Sequence, residues 1–196
     1  MLQILTPADY RPMRWKNGGG RTTEIAAYPP RAAIDEFWWR ISIADVDRDG
    51  PFSPFPGVER TVVLIEGKGM RLRGRNLDAC LAAPYVPHAF SGDDAIECTL
   101  VAGPIRDFNA MCRRDRVRGS VSVVRGECAS FAPSDFLLVY AASGMQECAV
   151  GKRSPTMLER DCSMLVDRSD DDERPSTTIR PLVADAVALV VAIDRT

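Results

Sequence analysis

The chain has 196 residues, of which 45% are apolar and 27% charged, with a formal net charge of −2. That length suits one large domain or two small ones, and the composition is that of an ordinary globular protein. A near-neutral chain of pI about 5.5 is not drawn to nucleic acid or to an anionic membrane surface, so neither is expected as a partner.

In chain order, Met1-Leu2-Gln3-Ile4-Leu5 lacks the basic start and long apolar stretch of a secretory signal, and a cytoplasmic location is expected. The run Lys16-Asn17-Gly18-Gly19-Gly20 has glycines that let backbone amides come close to an anion, beside one of only three lysines in the chain. It lacks the spacing of a phosphate-binding P-loop or a dinucleotide fingerprint, and on composition alone a sharp turn entering a strand is the favoured reading. In that strand Glu24 would share a face with Thr22.

Phe37 to Ile43 alternates as a strand, with Phe37, Trp39, Ile41 and Ile43 on one face and Trp38, Arg40 and Ser42 on the other. An arginine there must reach water, pair with a carboxylate such as Glu24 or Glu66, or point into a polar cavity. Turns are expected at Asp49-Gly50-Pro51, Phe55-Pro56-Gly57, Glu66-Gly67-Lys68-Gly69 and Ser91-Gly92-Asp93. The segment Phe52 to Glu59, just before Arg60, would form a barrel mouth. Further strands are expected over 61–65, 70–72, 96–101, 121–124, 136–140 and 187–193. No stretch keeps a helical apolar period, so an all-β sandwich or barrel follows.

His88 is the sole histidine, and no Ser or Cys is placed beside it to make a nucleophile. The six cysteines, Cys80, Cys98, Cys112, Cys128, Cys148 and Cys162, have no C-x-x-C pair. They read as buried free thiols, and no metal or other cofactor is expected. Asp107-Phe108-Asn109-Ala110-Met111 reads as a structural link, and the acidic run from Arg168 to Arg174 as a solvated loop.

An internal repeat organises these strands. Thr61 to Met70 aligns without a gap on Phe136 to Met145, at an offset of 75. Ala95 to Ala102 matches Ala186 to Ile193 at an offset of 91. A duplicated β-domain is expected, with halves 1–112 and 113–196, the first holding the ligand pocket and the second degenerate.

The stretches Trp15 to Glu24, Arg40 to Ala44, Asp49 to Ser53, Phe55 to Gly57, Arg60, Glu66-Gly67 and Asp107-Phe108-Asn109 with Met111 resemble the HutD/Ves family. The likeness covers residues 2 to about 115, beyond which only the strand pattern fits. It implies a bicupin, two cupin-like jelly-roll barrel halves in one chain, associated with histidine utilisation. The family's suggested role is to bind a pathway intermediate, formylglutamate or urocanate, and so moderate expression of the pathway. The usual cupin motif of two His and a Glu is missing here, which argues against metal-dependent chemistry.

Lys16, Arg40 and Arg60 would then neutralise the carboxylates of a small ligand, with Asn17, Thr23, Ser42 and the amides near Gly18 and Gly19 giving direction and Glu24 balancing charge. The competing reading is a metal-independent isomerase or hydrolase with Glu24 as general base. Self-association as a homodimer is left open by the sequence.

Overall fold

The computed structural model describes residues 1–15, 20–169 and 174–196. The described residues contain nineteen strands and no helix. Consequently none of them offers a helix long and apolar enough to cross a membrane. The first half runs β1 (Leu2–Leu5), β2 (Arg11–Arg14), β3 (Gly20–Tyr28), β4 (Trp39–Val46), β5 (Gly50–Phe52) and β6 (Val58–Glu66). It continues through β7 (Met70–Arg73), β8 (Asp78–Leu81), β9 (Pro87–Ser91), β10 (Ile96–Leu100) and β11 (Ile105–Arg113). Then follow β12 (Val117–Arg125), β13 (Ala129–Phe131), β14 (Phe136–Ser143) and β15 (Gln146–Val150). The last are β16 (Thr156–Leu158), β17 (Ser163–Asp167), β18 (Thr177–Pro181) and β19 (Val187–Arg195).

Two compact units result, one of Tyr10–Arg118 with Thr196, the other of Met1–Asp9 with Gly119–Arg195. The division falls at Arg118 rather than at residue 112. The first nine residues go with the C-terminal unit because β1 pairs antiparallel with β17, Leu2 opposite Val166.

In the N-terminal unit a six-stranded sheet, β2-β3-β4-β11-β6-β9, faces a four-stranded one, β5-β10-β7-β8. Ala44, Val62, Leu64 and Phe90 from the first pack on Phe52, Met70, Leu72, Ile96 and Cys98 from the second. The alternation of β6 and β4 makes this layer, since every second residue turns inward. The turn expected at Asp49-Gly50-Pro51 is instead the start of β5. Pro51 is tolerated there because β5 is the edge of its sheet, where a missing N–H breaks no ladder.

The C-terminal unit repeats the order. Its sheets are β1-β17-β14-β19-β12 and β13-β18-β15-β16, so β14 answers to β6, β15 to β7, β18 to β10 and β19 to β11. Leu137, Val139, Val190 and Met164 pack there on Cys148, Leu158 and Ile179. The offset of 75 holds: Gly69 and Gly144 each lie between a strand of the large sheet and the next strand of the small one, both at positive φ, +115° and +61°. The offset of 91 does not. It matches β10, a small-sheet strand, to β19, a large-sheet strand paired with β14. Apolar content misled the alignment, since the true counterpart of β19 is the more polar β11.

Candidate functional site

Four adjacent strands build the site on one face of the six-stranded sheet. Directly opposed residues in neighbouring antiparallel strands point to the same side. Glu24 on β3 stands opposite Ser42 on β4, and Ser42 opposite Asn109 on β11. One row away Arg40 opposes Met111, which opposes Arg60 on β6. In the row on the other side Thr22 opposes Ala44, and Ala44 opposes Asp107. A lattice of polar side chains therefore stands on strands whose opposite face carries Trp39, Ile41, Ile43 and Phe108.

A cavity of about 390 Å³ opens over this lattice. Arg40, Ser42, Arg60, Asp107 and Asn109 form its polar wall, while Trp15, Phe52, Phe55 and Met111 supply apolar surface. All five polar residues are buried, and Asp107 is fully so. Of the segment Phe52 to Glu59, expected to form a mouth, Phe52, Ser53 and Phe55 line the cavity and the stretch from Pro56 to Glu59 does not.

The two guanidinium groups are held differently. Arg40 Nε donates to Glu24 Oε2 at 2.8 Å, and Arg11 Nη1 reaches the other oxygen of Glu24 at 3.4 Å. Arg60 Nη2 donates to Asn109 Oδ1 at 3.0 Å and Nη1 to the Ser53 carbonyl at 3.1 Å. Its charge also sits among the rings of Phe90, Phe52 and Phe55, with centroids at 4.9, 5.2 and 5.4 Å, a favourable cation–π setting. Burial is the main reason its pKa falls to about 10, Asp107 opposing the shift and Arg40 adding to it. It remains charged at neutral pH.

Asn109 bridges the site, since its Nδ2 donates to Asp107 Oδ1. Thus an amide, rather than a direct ion pair, separates Asp107 from Arg60. Burial lifts the Asp107 pKa to about 7, partly offset by Arg60 and by the Asn109 hydrogen bond, with Asp45 pushing the same way as burial. Among the described residues, three buried polar atoms of this wall have no hydrogen-bond partner: Arg40 Nη2, Arg60 Nε and Asp107 Oδ2. Such atoms cost about 1–3 kcal/mol each when left unmet, so they mark where a polar guest gains most.

The structure brings together Arg40, Ser42 and Arg60, with Glu24 behind Arg40 as its anchor rather than as cavity lining. Thr23 is turned away: it pairs with Ile43, and the inward residue of that stretch is Thr22, whose hydroxyl accepts from Trp15 Nε1 at 2.8 Å. The expected contributions of Lys16, Asn17, Gly18 and Gly19 lie outside the described residues. Glu66, considered as a partner for Arg40, pairs with Arg106 at 3.0 Å. Asp107 and Asn109, expected to be a link, are central to the wall. Their signal was the i, i+2 spacing of two polar residues among apolar ones, the same as that of Arg40 and Ser42.

His88 is half-buried on β9 opposite Val62 and does not line the cavity. Among the described residues no group of three or more His, Cys, Asp or Glu is placed to hold a metal ion. The cysteines are free, yet Cys80 and Cys128 are exposed, contrary to the expectation that all would be buried. Cys80 falls on the outward phase of the short strand β8, and Cys128 lies just before β13, after the bend at 126–127.

At the positions of the C-terminal unit that answer to Asp107 and Asn109, the pairing of β14 with β19 places Val190 and Ala192. The C-terminal unit therefore lacks the Asp107–Asn109 part of the wall.

These features define an antiparallel β protein of two compact units with the same sheet order, the first of which carries an arginine-lined cavity. The HutD family model matches residues 7–181, and the chain belongs to the HutD family. The match runs well past residue 115, where the resemblance read from motifs ended. A 21.2 kDa uncharacterised protein from the hutC 3' region of Pseudomonas putida is 37% identical over 152 residues, covering 78% of this chain and 80% of that one. A conserved protein of unknown function from Pseudomonas aeruginosa PAO1 superposes with a TM-score of 0.88 at 32% identity, each chain covered completely. HutD from Pseudomonas fluorescens SBW25 does so at 0.86 and 27%, again over both whole chains.

Proposed function

We propose that this chain is a bicupin that binds a small carboxylate intermediate of histidine degradation, formylglutamate or urocanate, and so moderates that pathway. The observation that carries the binding reading is the pair of buried guanidinium groups, Arg40 and Arg60, both lining one cavity of about 390 Å³ and each with an N–H unmet among the described residues. A carboxylate accepts charge-assisted hydrogen bonds from such donors, and the aromatic wall covers the ligand's carbon chain. The bicupin reading is supported by the two units' common sheet order. The link to histidine utilisation is supported by the hutC-region relative and by HutD itself. The same reading takes the protein to be cytoplasmic and independent of metal, nucleic acid and membrane.

Thermal unfolding of the purified protein with each compound tests this. A rise in Tm that grows with ligand concentration is expected, because binding to the folded state alone stabilises it. No shift with either compound contradicts the reading.

An enzymatic reading draws support from one observation only. Asp107 is a buried carboxyl inside the cavity with its pKa raised to about 7, the setting of a general base. The base would then be Asp107 and not Glu24, which is tied to Arg40 and off the cavity wall. Turnover of formylglutamate or urocanate followed by NMR would favour this alternative, and its absence would leave binding as the function.

A further inference from the structure

We infer that the cavity of the N-terminal unit takes up its anionic ligand together with one proton, which resides on Asp107 Oδ2 and is donated in a hydrogen bond to the ligand. The inference rests on the carboxylate-binding reading above and specifies how the wall meets the ligand's negative charge.

The geometry argues for it in three steps. Asp107 is fully buried and lines the cavity, and its Oδ2 has no hydrogen-bond partner among the described residues. A bare carboxylate oxygen would repel an incoming carboxylate, whereas a protonated one donates to it. Next, the cation nearest at hand does not hold Asp107 ionised by direct contact, because Asn109 stands between them, receiving from Arg60 and donating to Oδ1. Finally, neutralising Asp107 changes the local balance. Arg40 is matched by Glu24, so with Asp107 ionised the four charges cancel, and with Asp107 neutral the wall keeps one positive charge for the ligand.

Several ionisable groups surround Asp107. They are Arg60 on β6, Arg40 and Asp45 on β4, Glu24 on β3 and the Cys98 thiol on β10. Strands β5, β7 and β8 bring the apolar Phe52, Met70, Leu72 and Leu81. Arg60 titrates near 10 and burial pushes Cys98 up to about 12, both far from the Asp107 value of about 7. Asp45 is engaged by Arg21 at 2.6 Å and Arg106 at 3.5 Å. The sign follows: an anion beside Asp107 raises its pKa further, so binding consumes a proton from solvent. Apparent affinity is constant below the free value and weakens about tenfold per pH unit above it, until the bound value is passed.

Isothermal calorimetry with N-formyl-L-glutamate tests this. Both its carboxyl groups titrate in the ordinary carboxylate range, so the ligand carries no proton change near neutrality, unlike the imidazole of urocanate. Titrations at pH 7.5 in two buffers of different ionisation enthalpy should give an uptake of about half a proton or more, and the Kd should be about tenfold weaker at pH 8.5 than at pH 6.5. Asp107→Asn should abolish both the uptake and the pH dependence. His88→Gln, which alters a side chain off the cavity wall, should leave both intact. Wild-type binding with equal heats in the two buffers overturns the inference while leaving the binding reading in place. Pronounced uptake that persists in Asp107→Asn also overturns it. Absence of wild-type binding at every pH brings down the binding reading, and the inference with it. The buffer comparison on wild type decides the matter even if Asp107→Asn does not fold.

Discussion

Replacing Arg40 with methionine separates the two tasks of that residue, holding Glu24 and presenting a cation to the cavity. The side chain of Glu24 is 9% exposed and that of Arg40 4%, with 2.8 Å between Oε2 and Nε. Breaking a buried pair by removing one partner typically costs about 3–5 kcal/mol. Here Arg11 stays at 3.4 Å, on a side chain 54% exposed, and the adjoining cavity admits water. A cost of about 2 kcal/mol is therefore expected, or a fall in Tm of about 4–8 °C for a chain of this size. A Glu24→Gln/Arg40→Met double variant removes both charges and should recover most of that loss, since no uncompensated ion remains. Binding should not recover. A lost charge-assisted hydrogen bond is worth about 1.5–3 kcal/mol, so the Kd for formylglutamate should rise by one to two decades in both variants. Thermal unfolding reads the first effect and calorimetry the second. If Arg40→Met unfolds and binds like wild type, Arg40 neither holds Glu24 nor faces a ligand, and the reasoning fails.

Three other outcomes follow from the same structure. Gly69→Ala should destabilise the N-terminal unit by about 1–3 kcal/mol, because Gly69 sits at φ +115° with room for a Cβ only 2.7 Å from the Leu81 carbonyl oxygen; a change below about 0.5 kcal/mol in denaturant unfolding would contradict it. A thiol reagent under native conditions should modify Cys80 and Cys128 quickly, while Cys98, Cys112 and Cys148, buried with pKa pushed up to about 12, react only on unfolding; rapid labelling of all six would contradict this. Asp107 binds its proton more tightly folded, near 7, than unfolded, near 3.9, so the native state loses stability as pH rises between those values. Asp107→Asn should therefore gain on wild type over that window, by about 1 kcal/mol or more, and a parallel pair of stability curves from pH 4 to 7 would refute the burial argument.

What the sequence made readable was decided by where apolar residues crowd together. Phe136 to Tyr140 and Val187 to Ile193 stand at the centre of a sheet, β14 and β19, and were legible as strands at once. Strand β11 is just as central, lying between β4 and β6. It escaped notice because Asp107 and Asn109 interrupt its apolar run, and those interruptions are the cavity wall. The same polar residues hid its kinship with β19, which sent the second repeat to β10 instead. Alternation along β4 correctly placed Arg40 and Ser42 together on one face. Within β3 the phase was set by Glu24, and Thr23 therefore falls on the far side with Ile43. Pairing across strands, such as Asn109 between Arg60 and Asp107, depends on register, which no single strand's sequence carries.

A crystal structure of the protein with N-formyl-L-glutamate bound tests the central claim most directly. One ligand carboxylate is expected at about 2.7–3.2 Å from Arg40 Nη2, on the cavity face of β4. A second ligand oxygen should lie within the same distance of Asp107 Oδ2, on β11. A ligand seated elsewhere, or a cavity that stays free of it at saturating concentration, would contradict the account.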